Sequence, residues 1–187
     1  MNYLPRLLGL GLLTLLVAML MMSCESTKPG AGEFGTPTRV SEEAMKGPES
    51  REIVQLTNGK PEFITPQSDL AAAFIRQFSD GTVIDKIMVH KAPADAGDKG
   101  PASYYLVGMG LNNGSFRAMA LPLVGSGGGS YYLSPNAERY VITSTGCPRC
   151  FFNFENGRIV GTTCAEASSG TTCDLKVESA NDLLSRR

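Results

Sequence analysis

Four cysteines, Cys147, Cys150, Cys164 and Cys173, crowd into one stretch near the end of the chain. They bracket a hairpin signal, with FFNF and RIVG on either side of Glu155-Asn156-Gly157, where Asn-Gly is the pair favoured in a tight primed turn. Whether these sulfurs are free or bonded depends on where the chain is sent. It opens with MNYLPR, which carries one side-chain positive charge at Arg6, and then runs apolar through LLGLGLLTLLVAMLMM to Ser23-Cys24. That is the layout of a signal peptide. The run is shorter than the roughly 20 apolar residues of a spanning helix, so cleavage is expected rather than permanent insertion. Export places the remainder in an oxidising compartment. With Cys24 set aside, an even number of cysteines predicts two disulfides, and three pairings are open. Loops of this length contribute about 3 kcal/mol each in the chain-entropy account. That is a large share of a total stability of roughly 5–15 kcal/mol.

The residues Met21-Met22-Ser23-Cys24 resemble the lipobox of bacterial lipoproteins cut by signal peptidase II. In that class a Leu and two small residues precede the lipidated Cys. Ser23 and Cys24 fit, Met21 stands in for Leu, and Met22 is bulkier than usual. The resemblance implies that Cys24 becomes the first mature residue and carries a diacylglycerol thioether, usually with an acyl group on its nitrogen. The implied partner is therefore a membrane, reached through lipid. Each buried methylene contributes about 0.8 kcal/mol, and two or three chains hold where one attaches only reversibly. In enterobacteria an Asp after the lipidated Cys retains the protein at the inner membrane. Glu25 stands there instead, which favours the outer membrane. The resemblance covers the leader alone. With its late cysteine cluster, the rest is similar to small cysteine-containing envelope lipoproteins of unassigned activity, which transfers no site.

Three segments are expected: a signal peptide over 1–23, a lipidated Cys and flexible tether over 24–50, and one domain over 51–187. The tether, ESTKPGAGEFGTPTRVSEEAMKGPES, is rich in Gly, Pro, Ser, Thr and Glu. It buries too little apolar surface to offset its ordering entropy. A flexible chain of this length reaches about 30 Å. Loss of the leader removes Arg6 and no acidic residue, leaving 16 basic against 18 acidic side chains. No clustered basic excess is present to attract nucleic acid.

Within the domain, Arg51–Leu56 and Glu62–Thr65 flank the turn signal Asn58-Gly59. Thr65-Pro66 reads as a helix start, with Thr65 as N-cap and Pro66 in the first turn. Leu70, Phe74 and Phe78, with Ala71 and Ile75 beside them, recur at helical spacing up to a stop at Gly81. Strands are expected over 83–91, 103–111, 116–124, 131–133, 139–144, 151–155 and 158–163, with a further hairpin turn at Asn113-Gly114. From Ser179 a short terminal helix is expected. The fold class is α+β: a largely antiparallel meander with one helix on a face, disulfide-crosslinked near its C-terminal end.

Cys147-Pro148-Arg149-Cys150 has the spacing of a thiol oxidoreductase, but such sites put the first thiol at a helix N-terminus, and here a hairpin follows. A four-cysteine metal site is a further reading. The eight residues between Cys164 and Cys173 make a long second knuckle for zinc, and iron–sulfur ligation fits no better. His90, the sole histidine, alternates outward with Lys86 if Val83, Ile87 and Val89 face in. No HExxH or GxSxG occurs. Gly108-Met109-Gly110 leads into the hairpin signal and Val124–Ser130 runs into a strand, whereas a phosphate cradle needs a following helix. Among the paired tyrosines, Tyr105, Tyr132 and Tyr140 are candidates to face outward onto a protein or small-molecule ligand. No catalytic residue, metal ligand or cofactor is expected. The leading functional expectation is a lipid-anchored, non-catalytic binding or envelope-assembly module. The alternatives are a thiol–disulfide oxidoreductase using the CPRC segment and a four-cysteine metal-binding domain.

Overall fold

Alternating apolar residues and Asn-Gly turns build a sheet whose two faces are covered by different elements. In the computed structural model, residues 51–93, 102–133, 137–179 and 183–184 are described. The leader, Cys24 and the tether lie outside them. The strands are β1 (Arg51–Thr57), β2 (Lys60–Phe63), β3 (Val83–Lys91), β4 (Tyr104–Asn112), β5 (Ser115–Gly125), β6 (Ser130–Leu133), β7 (Arg139–Thr145), β8 (Cys150–Glu155), β9 (Arg158–Cys164) and β10 (Thr172–Glu178). One helix, α1 (Gln67–Phe78), follows β2. The expected turns form at Asn58-Gly59, Asn113-Gly114 and Asn156-Gly157, with both residues of each at positive φ.

Eight strands form one antiparallel sheet, and β5 is its spine. β4 pairs along the whole of one edge of β5, from Tyr104 opposite Leu123 to Asn112 opposite Ser115. The other edge is divided. Arg117–Ala120 pair with β7, and Leu123–Gly125 pair with β6. The sheet therefore forks at β5, one branch continuing from β7 to β10 and the other from β6 to β1 and β2. β8 and β9 form a separate two-stranded sheet.

On one face, Leu106, Met119, Leu121, Leu123 and Val141 meet Leu70, Ala73, Phe74 and Phe78 of α1, joined by Ile53, Val54 and Leu133. Gly108 makes this contact close, because a Cβ there would lie 2.7 Å from the Phe74 ring. The opposite face presents Tyr105, Val107, Ala118, Ala120 and Ile142. The β8–β9 hairpin lays Phe152, Phe154 and Ile159 against it. The small alanines of the spine make room for those rings, as the glycine of β4 does for the helix. The order is thus helix, sheet, hairpin, an α+β fold with the helix on one face and two disulfides near the C-terminal end.

Several local expectations are corrected. The meander was expected to include FFNF and RIVG as successive strands of one sheet, whereas they fold over its other face. Thr65 does not cap α1. Its hydroxyl donates to the Glu52 carbonyl at 2.8 Å, tying the chain to β1, and Pro66 occupies the cap position. The helix ends at Ser79, whose left-handed backbone (φ 52°) lets its N–H reach the Ile75 carbonyl, two residues before Gly81. Ala73 rather than Ile75 completes the buried stripe, and Ile75 is exposed. In β3 a bulge between Ile84 and Lys86 changes the alternation, so Ile84, Ile87 and Val89 share the helix side while Val83 is exposed. β10 lies outside the expected strands and pairs with β7 from Thr172 opposite Thr145 to Glu178 opposite Arg139. Of the expected terminal helix, Leu183 and Leu184 form a turn with Leu183 buried, and the remaining residues lie outside those described.

Candidate functional site: the sulfur cluster beneath the hairpin

Gly146, at φ 67°, ends β7 and turns the chain through Cys147-Pro148-Arg149 into Cys150, the first residue of β8. Cys164 closes β9 directly opposite Cys150. Cys173 lies on β10 opposite Ser144 of β7. The bonds do not follow the hairpin register. Cys147 bonds Cys164 and Cys150 bonds Cys173, each pair with Cα atoms 5.9 Å apart. The first bridge joins the turn that enters the hairpin to β9, the strand that leaves it. The second fastens the hairpin to the main sheet. The CPRC segment holds no bridge of its own.

Cys147 and Cys150 are each 3% exposed and sit among Phe116, Ala118 and Ile142. Cys164 and Cys173, the outer partners, are half-buried. The Sγ atoms of Cys147, Cys150 and Cys173 all lie within 4.8 Å of one another. Since Cys164 is bonded to Cys147, all four sulfurs form one cluster. As bonded they offer neither a thiolate nucleophile nor a metal ligand, because both chemistries require the deprotonated thiol. Beside them Ser144, 3% exposed, has a buried hydroxyl with no hydrogen-bond partner among the described residues.

The three candidate tyrosines lie on strands that adjoin the same sheet face but are not equally open. Tyr105 is 4% exposed, and its hydroxyl donates to the Gly157 carbonyl at the hairpin tip, 3.0 Å away. Its ring is covered by the hairpin and not presented to solvent. Tyr140 is half-buried, edge-on to Tyr105 at 6.3 Å, and donates to Glu138 at 2.8 Å. Burial first, and then the Glu138 carboxylate, push its phenol well above the usual range. Tyr132, also half-buried, pairs with Val124 and Glu52. His90, expected at the surface, instead stacks on Phe154 with ring centroids 4.9 Å apart. Its side of β3 is the one alternation predicts, and the folded-over hairpin, which local alternation does not mark, covers it.

The glycine run is also less free than its composition implies. The N–H of Leu56 on β1 donates to the Gly129 carbonyl at 2.8 Å, knitting the loop into the ladder. A polar cluster that the sequence reading missed closes the C-terminal end of α1. Asp80 accepts from Arg117 at 2.6 Å and from the Thr82 N–H at 3.0 Å, while the Arg117 guanidinium lies 5.5 Å from the centroid of the Phe78 ring. The Asp-Gly-Thr sequence after the helix was the available signal, since Asp readily accepts from an N–H two residues on. No known protein family, curated protein or solved structure matches this chain.

Proposed function

We propose that this chain is a lipid-anchored protein of the bacterial cell envelope, at the outer membrane rather than the inner, serving as a non-catalytic binding or envelope-assembly module. One observation carries the reading. The four late cysteines pair among themselves, which leaves Cys24, at the lipobox position, as the one cysteine outside those pairs. Two bridges also suit an oxidising compartment. Tyr132 and Tyr140, each half-buried, are the candidates for contact with a protein or small-molecule ligand, whereas Tyr105 lies beneath the hairpin, edge-on to Tyr140.

The test is a non-reducing peptide map of the protein isolated from membranes. Expected are a Cys24 peptide carrying diacylglycerol and no labelling of the late cysteines by iodoacetamide without reductant. A Cys24→Ala variant should leave the membrane fraction. An unacylated N-terminus, or full labelling of the late cluster, would overturn the proposal. The closeness of the sulfurs favours a second reading, a four-thiolate metal site. Zinc or iron at one equivalent per chain in the isolated protein would establish it in place of the first.

A further inference from the structure

We infer that the two bridges form an exchange pair, a site at which an external small-molecule thiol converts Cys147–Cys164 and Cys150–Cys173 into Cys147–Cys150 and Cys164–Cys173 without unfolding the sheet. The argument begins with access. Each bridge has one half-buried outer cysteine, Cys164 or Cys173, and one inner cysteine, Cys147 or Cys150, that is 3% exposed. An incoming thiolate therefore attacks an outer sulfur, and the leaving group is an inner one. Attack on Cys164 breaks its bond to Cys147, leaves a mixed disulfide on Cys164 and sets the electron pair on Cys147. Attack on Cys173 does the same for Cys150.

Either way, the freed inner thiolate has the other inner sulfur within 4.8 Å and only two residues along the chain. Thiolate attack on a neighbouring disulfide is the ordinary route of exchange. Cys147 attacks Cys150, forming Cys147–Cys150 and releasing Cys173 as thiolate. Cys173 then attacks the mixed disulfide on Cys164, forming Cys164–Cys173 and returning the external thiol. The second route reaches the same product with the roles exchanged. Two bonds break, two form, and no net oxidation occurs, so the thiol acts catalytically. The result is a different set of tethers: the CPRC segment closes on itself, β9 becomes joined to β10, and the bridge from β8 to the main sheet is gone. This inference needs the two bridges and their proximity, and it stands whether or not Cys24 carries lipid.

Tryptic cleavage after Arg139, Arg149, Arg158 and Lys176 separates the outcomes, because it places Cys147 and Cys150 on different peptides and Cys164 with Cys173 on one. The full-length oxidised protein is incubated with a low concentration of glutathione without denaturant, acid-quenched, alkylated and digested. The present pairing yields one assembly of three peptides. The exchanged pairing yields a two-peptide assembly, 140–149 with 150–158, and an internally bridged 159–176. Appearance of the two-peptide assembly while the protein keeps its native circular dichroism is the expected result. Persistence of the three-peptide assembly until denaturant is added overturns the inference. In a Cys164→Ser variant shown by circular dichroism to keep the native fold, alkylation should reach Cys173 as well as Cys147, and alkylation confined to Cys147 would also overturn it.

Discussion

Three glycines test whether close approach or turn geometry makes the residue necessary. A Cβ on Gly108 would overlap the buried Phe74 ring at 2.7 Å, and one on Gly110 would meet the Val83 carbonyl oxygen at 1.8 Å. A Cβ on Gly161 has only the Asn153 side chain nearby, at 3.8 Å. Gly110→Ala should therefore be the most destabilising, since backbone cannot step aside as a ring can. Gly108→Ala should cost about 1–3 kcal/mol as overpacking, and Gly161→Ala should lie near neutral. Urea midpoints with the bridges intact check the order. His90 supplies a second test. Partial burial pushes its pKa below the ordinary 6.5. The unfolded chain then takes up the proton first, so this contribution is complete above that value and is lost as pH falls below it. Asp80 acts lower. Burial alone would raise its carboxyl pKa, but the Thr82 hydroxyl and N–H, then Arg117 and Asn112, outweigh it and hold it below 3.8. Its contribution is present above the ordinary carboxylate value and is lost on further acidification. The wild type should weaken between pH 7 and 5, and His90→Phe, which removes the sole histidine, should flatten that interval while leaving the loss at lower pH.

The β8–β9 hairpin is held by three rings or branched chains beneath it and by two bridges at its base. Replacing Cys150 and Cys173 with Ser together should cost about 2–5 kcal/mol. Removing both bridges should cost more than the sum of the two single losses, because their loops overlap and either bridge alone already shortens the loop the other closes. Native-state hydrogen exchange should show β8 and β9 losing protection first, while β4 and β5 stay protected. Much of this hairpin was readable in the sequence: Asn156-Gly157 marks its turn and Phe152 and Phe154 its apolar side. Its placement over the sheet was not, because alternation tells which residues share a face but not what covers that face. The same limit hid the role of Ala118 and Ala120, whose small size has meaning only against the rings opposite. β10 is a different case. Cys173, Leu175 and Val177 alternate with Thr172, Asp174, Lys176 and Glu178. That is the period of a strand, legible in the sequence although it begins in the loop-like run of Ser, Gly and Thr that precedes Cys173. The bulge at Asp85 leaves no mark beyond a charged residue among apolar ones, so Val83 takes the face opposite to the one expected, whereas His90 faces away from the helix as expected and is covered by the hairpin.

The connectivity of the whole domain follows from the divided edge of β5. Strands β3, β4 and β5 pair with their immediate neighbours in sequence, and β10 reaches back only to β7. β1 differs: beyond its own hairpin with β2, its partner is β6, and Arg51 faces Leu133. Such distant pairing is slow to form, since the closure entropy of the intervening chain comes before its reward. A polypeptide appears from its N-terminus onward, whether from a ribosome or through a translocation channel. The outer edge of β1 must therefore wait unpaired until Leu133 arrives, and only then does the first part of the domain to emerge find its place in the sheet.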